Sequence, residues 1–331
     1  MKLTHDQIKN ITLGAAYVEF TDNKTVFHRF TKEQNELYQT VSENFYNKTF
    51  STACVRLEFE TDSSSLFIKT EIKPRSSRTY YSLDLFVDGK FADTLEGNLE
   101  SKQNDIISKK FDLGEKGKIK TVCIHLPWSC SSDIIELSVD DGATLAQTKK
   151  ARKMICYGDS ITQGYDAKYA SNSYVAKLTT ALDAETRNKG IGGEMFRPEL
   201  AKLKDENFNP DIATVAYGTN DWNVDVSKDV FVGRINEFLK TLEENYPKAK
   251  IFVIAPIWRA DWQDKHAFGD FLNLKEELLN AANKRSNVTL IDGFDFVPHN
   301  CELFSDKYLH PNDDGFSHYA ENVINEIKKH L

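Results

Sequence analysis

The sequence predicts an all-β sandwich followed by an α/β unit built on a parallel sheet. Three observations carry this: period-two alternation across the first 145 or so residues, short apolar runs alternating with helical stripes after residue 150, and a polar, basic connector between them. In the first half, Val55, Leu57 and Phe59 alternate with Arg56, Glu58 and Glu60. Leu66, Ile68 and Ile72 alternate with Lys69, Glu71 and Lys73, and Ile135, Leu137 and Val139 with Glu136, Ser138 and Asp140. One face of each strand is expected to be buried and the other wet, as in antiparallel sheets. Asp88-Gly89, between Leu85-Phe86-Val87 and Lys90-Phe91, is a hairpin signal. No long helical pattern is expected to interrupt this region, so it reads as a sandwich or jelly roll over residues 1–148.

Gln147-Thr148-Lys149-Lys150-Ala151-Arg152 forms the connector, and residues 149–331 read as the second domain. Met154-Ile155-Cys156-Tyr157, Ile212-Ala213-Thr214-Val215 and Ile251-Phe252-Val253-Ile254 are expected buried strands. Phe231, Ile235, Phe238, Leu239 and Leu242 make one helical stripe. Phe316, Tyr319, Ala320, Val323, Ile324 and Ile327 make another. Strands alternating with helices imply right-handed crossovers and a parallel sheet, with ligands at the C-terminal strand ends.

The 331 residues are 40% hydrophobic and 28% charged, as in a globular protein with a core. A net charge of -8 argues against a nucleic-acid partner, because phosphate binding needs a basic face. No run of 18 apolar residues predicts a membrane span, and MKLTHDQIKN has no leader pattern. Five scattered cysteines (Cys54, Cys123, Cys130, Cys156 and Cys301) suggest neither a disulfide framework nor a structural zinc site. A cytoplasmic location is the expectation, with the Asn23-Lys-Thr25 sequon fortuitous.

Four segments stand where chemistry is expected. Tyr157-Gly158-Asp159-Ser160-Ile161-Thr162-Gln163-Gly164 follows an apolar run and precedes a helix beginning near Ser173. A serine there lies at the active edge of the sheet, Gly158 allowing the tight turn that presents it; the structural alternative is a polar turn. Asn188-Lys189-Gly190-Ile191-Gly192-Gly193 follows a short run, Ala184–Arg187, and can aim backbone N–H groups into a site, or serve only as a turn. Tyr217-Gly218-Thr219-Asn220-Asp221-Trp222 offers an amide to a developing oxyanion, or an Asx turn. Leu309-His310-Pro311-Asn312 holds a histidine in a proline-stiffened loop before the last helix, whereas His299, His318 and His330 read as surface or core residues.

In this order and spacing, Gly158-Asp159-Ser160-Ile161-Thr162, Gly193, Gly218-Thr219-Asn220-Asp221 and His310-Pro311-Asn312 resemble the four blocks of the SGNH (GDSL) hydrolase superfamily, over about residues 150 to 331. The resemblance implies a three-layer, flavodoxin-like sheet and a serine esterase needing no metal or organic cofactor. Ser160 would be the nucleophile and His310 its base. The N–H groups of Ser160 and Gly193 with the Asn220 amide would form the oxyanion hole. One position departs from the pattern: the family's aspartate three residues before the histidine is here Lys307, and the nearest acid is Asp306, four before. Asp306 would reach His310 through a one-residue bulge, completing a triad; otherwise a backbone carbonyl would hold the imidazole in a Ser-His dyad. Asp159 is a poor substitute, its position suiting it to hold the turn.

The β-rich first half resembles the jelly-roll domain preceding the SGNH domain of some carbohydrate acetylesterases, and Gly158–Thr162 followed by Gly164-Tyr165 is similar to carbohydrate esterase family two. This implies removal of O-acetyl groups from acetylated oligosaccharides, with the first half carbohydrate-interacting or merely shaping the cleft. Trp222, Trp258 and Trp262 fall at expected strand ends, where indole faces can stack on sugar rings or pack under loops. The polar stretch Arg259 to Asp270 is read as a lid or subunit contact. The alternatives are a short-chain lipase or thioesterase using the same site, a non-catalytic carbohydrate-binding protein, and an assembly protein. The expected partners are a small-molecule or oligosaccharide substrate and a second copy of the chain in a homo-oligomer.

Overall fold

The computed structural model describes residues 1–99, 103–224 and 226–331. The first half packs two antiparallel sheets face to face. One runs in the order Thr12–Leu13, Arg56–Thr61, Lys120–His125, Tyr80–Val87, Lys90–Asn98, with Ala146–Gln147 also paired to Arg56–Thr61. The other runs Tyr17–Thr21, Lys24–His28, Cys130–Val139, Ser65–Pro74, Asp105–Asp112. Leu57, Phe59, Leu83 and Val122 from the first meet Leu66, Ile68, Phe111 and Leu137 from the second in one core. The Asp88-Gly89 hairpin closes in two residues, both at positive φ (50° and 74°), with Val87 opposite Lys90.

Three details differ from the sequence expectation. The alternation at Ile135 is out of phase, because a bulge between Ile134 and Glu136 turns Ile134 inward in its place. Arg56 and Glu58 are not on a wet face: they are buried at the seam with the second half, where Arg56 Nη2 donates to the Ala184 carbonyl at 2.8 Å. Helices do interrupt the strands, at Lys32–Val41 and Glu43–Thr49. Thr31 opens the first with a capping box, its hydroxyl accepting from the Gln34 N–H while the Gln34 side chain accepts from the Thr31 N–H. The stripe these helices bury is largely polar (Gln34, Asn35, Tyr38), which hid it from a hydrophobic count.

The second half is a five-stranded parallel sheet in the order Ala184–Gly190, Arg152–Gly158, Ile212–Ala216, Lys250–Ile254, Val288–Ile291. Alternate strand residues face opposite sides. Ile155, Val215 and Val253 pack against the helices Lys228–Asn245 and Asn273–Ala282. Met154, Ile212 and Phe252 pack against Tyr174–Ala181 and Asp313–Lys328. The result is three layers, with the chain reversing its direction of winding on either side of Arg152–Gly158. Such a switch point opens a crevice beyond the strand ends.

The two halves share interior. Phe30 and Tyr38 join one core of the α/β unit, and Ala53, Cys54 and Trp128 the other. Arg29 is fully buried, and its guanidinium donates to the carbonyls of Lys48, Ser51, Asn188 and Gly190 and to Ser51 Oγ at 2.6–3.1 Å. Beside it Lys189 Nζ donates to the Arg29 carbonyl at 2.7 Å and to Gln34 Oε1 at 2.8 Å, and pairs with Asp205 at 2.9 Å. Among the described residues no helix is long and apolar enough to cross a membrane.

Candidate active site

Ser160 opens a single helical turn, Ser160–Gln163, directly after the strand Arg152–Gly158 at the switch point. Asp159 caps that turn, its Oδ1 accepting from the Ile161 N–H at 2.9 Å. Burial pushes the Asp159 carboxyl up to about 6, against the Ile161 N–H and the nearby His310, which favour its anion. Gly158 is required by close approach, because a Cβ there would lie 2.0 Å from Thr162 Oγ1 and 2.9 Å from the Ala216 carbonyl. Its backbone is not in the left-handed region, so the tight-turn rationale gives way to crowding.

The glycine-rich loop is clamped to this turn. Asn188 Nδ2 donates to the Thr162 carbonyl at 2.7 Å, and its Oδ1 accepts from the Gly190 N–H at 2.8 Å. Gln163 Oε1 accepts from the Gly192 N–H at 2.9 Å, and its Nε2 donates to the Trp128 carbonyl at 3.1 Å. Gly193 sits at φ +88°, where glycine carries no steric cost. Asn220, in the turn Thr219–Asn223 after Ile212–Ala216, donates one amide hydrogen to the Glu194 carbonyl at 2.9 Å, and the second has no partner among the described residues. The Asn220 amide and Gly193 are thus brought to one loop. Beneath them Asp221 is buried, accepting from the Phe196 N–H at 3.3 Å, and burial pushes its carboxyl up to about 7.

His310 sits in a short doubled-back loop. Phe304 pairs with Pro311, Ser305 N–H donates to the His310 carbonyl at 2.8 Å, and Asn312 caps the last helix. Its Nε2 lies 2.9 Å from Ser160 Oγ, and its Nδ1 lies 2.7 Å from Asp306 Oδ2. The extra residue is absorbed at Lys307, whose φ of +60° is left-handed. The other carboxylate oxygen of Asp306 accepts from the N–H groups of Tyr308, Leu309 and His310 at 2.8–3.1 Å. Burial opposes ionisation of Asp306, but the His310 ring and the Leu309 and His310 amides outweigh it and hold the carboxyl well below the usual range.

Trp222 is placed otherwise than a sugar platform requires. Trp222 is 0% exposed, its Nε1 donating to the Gly269 carbonyl at 2.9 Å, with Phe271 and His266 against its ring. It has no face open to a ligand, so its expected substrate role is corrected to packing under the Asn220 turn. Trp258 is 8% exposed and stacked on His299 at 5.4 Å; Trp262 is partly buried against Phe294. The polar stretch after them begins inside: Arg259 is buried, donating to Thr219 Oγ1 at 3.0 Å and Tyr308 Oη at 2.8 Å, and thereby links the Asn220 turn to the His310 loop.

Sequence reasoning missed what surrounds His310. The Tyr165 ring lies 5.7 Å from the imidazole and 5.1 Å from Trp128, whose Nε1 donates to the Ala167 carbonyl at 2.8 Å. Asp166 Oδ2 lies 3.8 Å from His310 Nδ1. Arg78, from the first half, grips Asp166 with Nε on Oδ1 at 2.6 Å and Nη2 on Oδ2 at 3.0 Å. Asp166, Asp306 and His310 offer donor atoms within 4.8 Å of one another, a spacing compatible with a cation, but the Arg78 fork already satisfies Asp166. Tyr165 belonged to the motif read in the sequence, though not as a neighbour of His310, and Asp166 follows it directly; Arg78 lies 82 positions before Ser160 with no local signal. A cavity of ≈ 360 Å³ opens beside them, between Ser77, Arg78 and Tyr80 on one side and Asp166, Lys168 and Ser305 on the other.

Residues 156–317 match the GDSL-like lipase/acylhydrolase family. No curated protein matches the chain by sequence. Among solved structures, the salicylyl-acyltransferase SsfX3 of a tetracycline biosynthetic pathway superposes with a TM-score of 0.84 at 23% identity, over 96% of this chain and 94% of that one. A family two carbohydrate esterase from Clostridium thermocellum, in complex with cellohexaose, gives 0.67 at 17% identity over 85% and 94%. One from Cellvibrio japonicus gives 0.66 at 16% identity over 99% and 97%. At these identities the likeness is one of fold. The chain therefore carries a GDSL-like lipase/acylhydrolase domain on an SGNH hydrolase fold, preceded by a β domain as in the family two carbohydrate esterases it resembles.

Proposed function

We propose that the protein is a serine esterase that removes O-acetyl groups from acetylated oligosaccharides. The observation that carries this reading is the continuous chain Ser160 Oγ to His310 Nε2 at 2.9 Å and His310 Nδ1 to Asp306 at 2.7 Å. Ser160 Oγ bonds to the acetyl carbon as His310 Nε2 takes its proton. The negative oxygen that forms is held by the N–H groups of Ser160 and Gly193 and the free hydrogen of the Asn220 amide. The carbon–oxygen bond to the sugar then breaks, and His310 returns the proton to the leaving hydroxyl. Water repeats the sequence on acetyl-Ser160, releasing acetate. Asp306, held anionic by three backbone amides, stabilises the imidazolium in both halves without itself taking the proton. The cavity beside the His310 loop carries Arg78, Lys168 and Ser305 on its walls, groups that can hydrogen-bond a hydroxyl-rich leaving group.

A second reading has its own support, since an acyltransferase superposes over nearly the whole of both chains. An acceptor alcohol in that cavity, in place of water, would turn the same acyl-enzyme to transfer. The test is acetate release from acetylated xylo- and manno-oligosaccharides by wild type and Ser160→Ala. Release lost in the variant supports the esterase. Loss of acetyl from the donor without free acetate, with acetyl appearing on an added alcohol, supports transfer. Silence on every ester refutes both.

A further inference from the structure

We propose that Asp166, carried on Arg78 of the N-terminal half, is a second positioning carboxylate for His310. This rests on the reading of His310 as the base. The imidazole Nδ1 faces two carboxylate oxygens, Asp306 Oδ2 at 2.7 Å and Asp166 Oδ2 at 3.8 Å. The two are held by different means. Asp306 is fixed by backbone amides of its own loop, whereas both oxygens of Asp166 are fixed by the Arg78 fork.

The arrangement is built rather than incidental. Asp166 lies at φ +70°, a left-handed conformation that costs a non-glycine residue energy and persists only when its surroundings impose it. Its carbonyl accepts from Ser305 Oγ at 3.2 Å, tying it to the residue before Asp306. The Arg78 guanidinium lies over the Tyr165 ring, which itself lies beside the imidazole. Two carboxylates converging on one nitrogen repel each other; the guanidinium behind Asp166 offsets that repulsion. When His310 takes the serine proton, its charge faces Asp306 from its own loop and Asp166 from the loop after the nucleophile turn. Arg78 stands behind Asp166 and Asp159 lies in the nucleophile turn. Arg78 thereby lets the β half set the charge around a base that belongs to the other half.

The test uses the full chain. The His310 ring signals, identified among the eight histidines with His310→Gln, are followed by NMR against pH in wild type, Asp166→Asn and Arg78→Gln. Hydrolysis of p-nitrophenyl acetate is measured over the same range. Removing the Asp166 anion disfavours the imidazolium, so the midpoint falls by about half a pH unit or more; removing the Arg78 cation moves it up by a similar amount. The acidic limb of kcat/KM follows each. Asp306→Ala keeps at least about tenfold more activity than Asp306→Ala/Asp166→Asn, because Asp166 takes over the orientation. Midpoints that stay put, or move the same way in both variants, overturn the proposal, as does a double variant no worse than Asp306→Ala. Opposite midpoint shifts in a protein that hydrolyses no ester refute the esterase while the charge arrangement stands.

Discussion

At the scale of single residues, the oxyanion donors and the buried acids give separate expectations. On the proposed mechanism, Asn220→Ala removes a donor that works only as charge develops. It should lower kcat by about 10²–10³ with KM little changed; steady-state kinetics on a short-chain ester check this, and an equal rise in KM would show ordinary binding instead. Asp221 is pushed up to about 7 by burial, far above the unfolded value of about 3.9. The folded state therefore holds its proton more tightly. Its stabilising contribution is complete below about pH 4 and is lost as pH rises through about 7. Asp221→Asn keeps an oxygen for the Phe196 N–H and should match wild type in Tm at pH 4 but exceed it by several degrees at pH 8. A gain constant across pH would discard this account. The placement of Ser160 and His310 against each other, and of Asn220 on the loop of Gly193, was foreshadowed by the spaced blocks that carry them. Asp306 was legible only as a choice between triad and dyad, since sequence does not show that Lys307 takes a left-handed turn. The Trp222 platform failed because a large aromatic at a strand end looks the same in sequence whether it faces solvent or packs inward.

At the scale of elements, the loop from Phe304 to Pro311 depends on one backbone angle. Lys307→Gly adopts φ +60° freely and should leave kcat/KM within about threefold of wild type. Lys307→Pro is confined to φ near −65° and should drop activity at least about 100-fold by moving Asp306 off the imidazole. If the proline variant stays active, the Asp306 contact is dispensable. The parallel strands and their helices were readable because both periods are strong there. The helices Lys32–Val41 and Glu43–Thr49 were not, because they bury amides and a tyrosine rather than an aliphatic stripe. The Thr31…Gln34 capping box and the Ser42 cap of the second helix were the signals present. The wet face assigned to Arg56 and Glu58 failed for a related reason: charged residues can be buried when each has its partner, and Arg56 pairs with Glu58 at 2.8 Å.

At the scale of the whole molecule, the division into a β half and an α/β half was legible from the change of period, but the extent of their union was not. Arg29 satisfies four carbonyls and a hydroxyl across both halves. Arg29→Met would take a donor from each of those groups inside the interior, at a cost of about 3–5 kcal/mol, read as a lowered urea midpoint in one cooperative transition. Two separated transitions in wild type would show instead that the halves unfold independently. The same arginine bears on how such a chain can change over generations. A recombination break at the connector would hand each offspring gene half of an interior. The α/β half would inherit the Asn188 and Gly190 carbonyls with no guanidinium, and the β half a buried cation stripped of those two acceptors. Descent should therefore pass the two halves on together, substitution by substitution, rather than by exchange of parts.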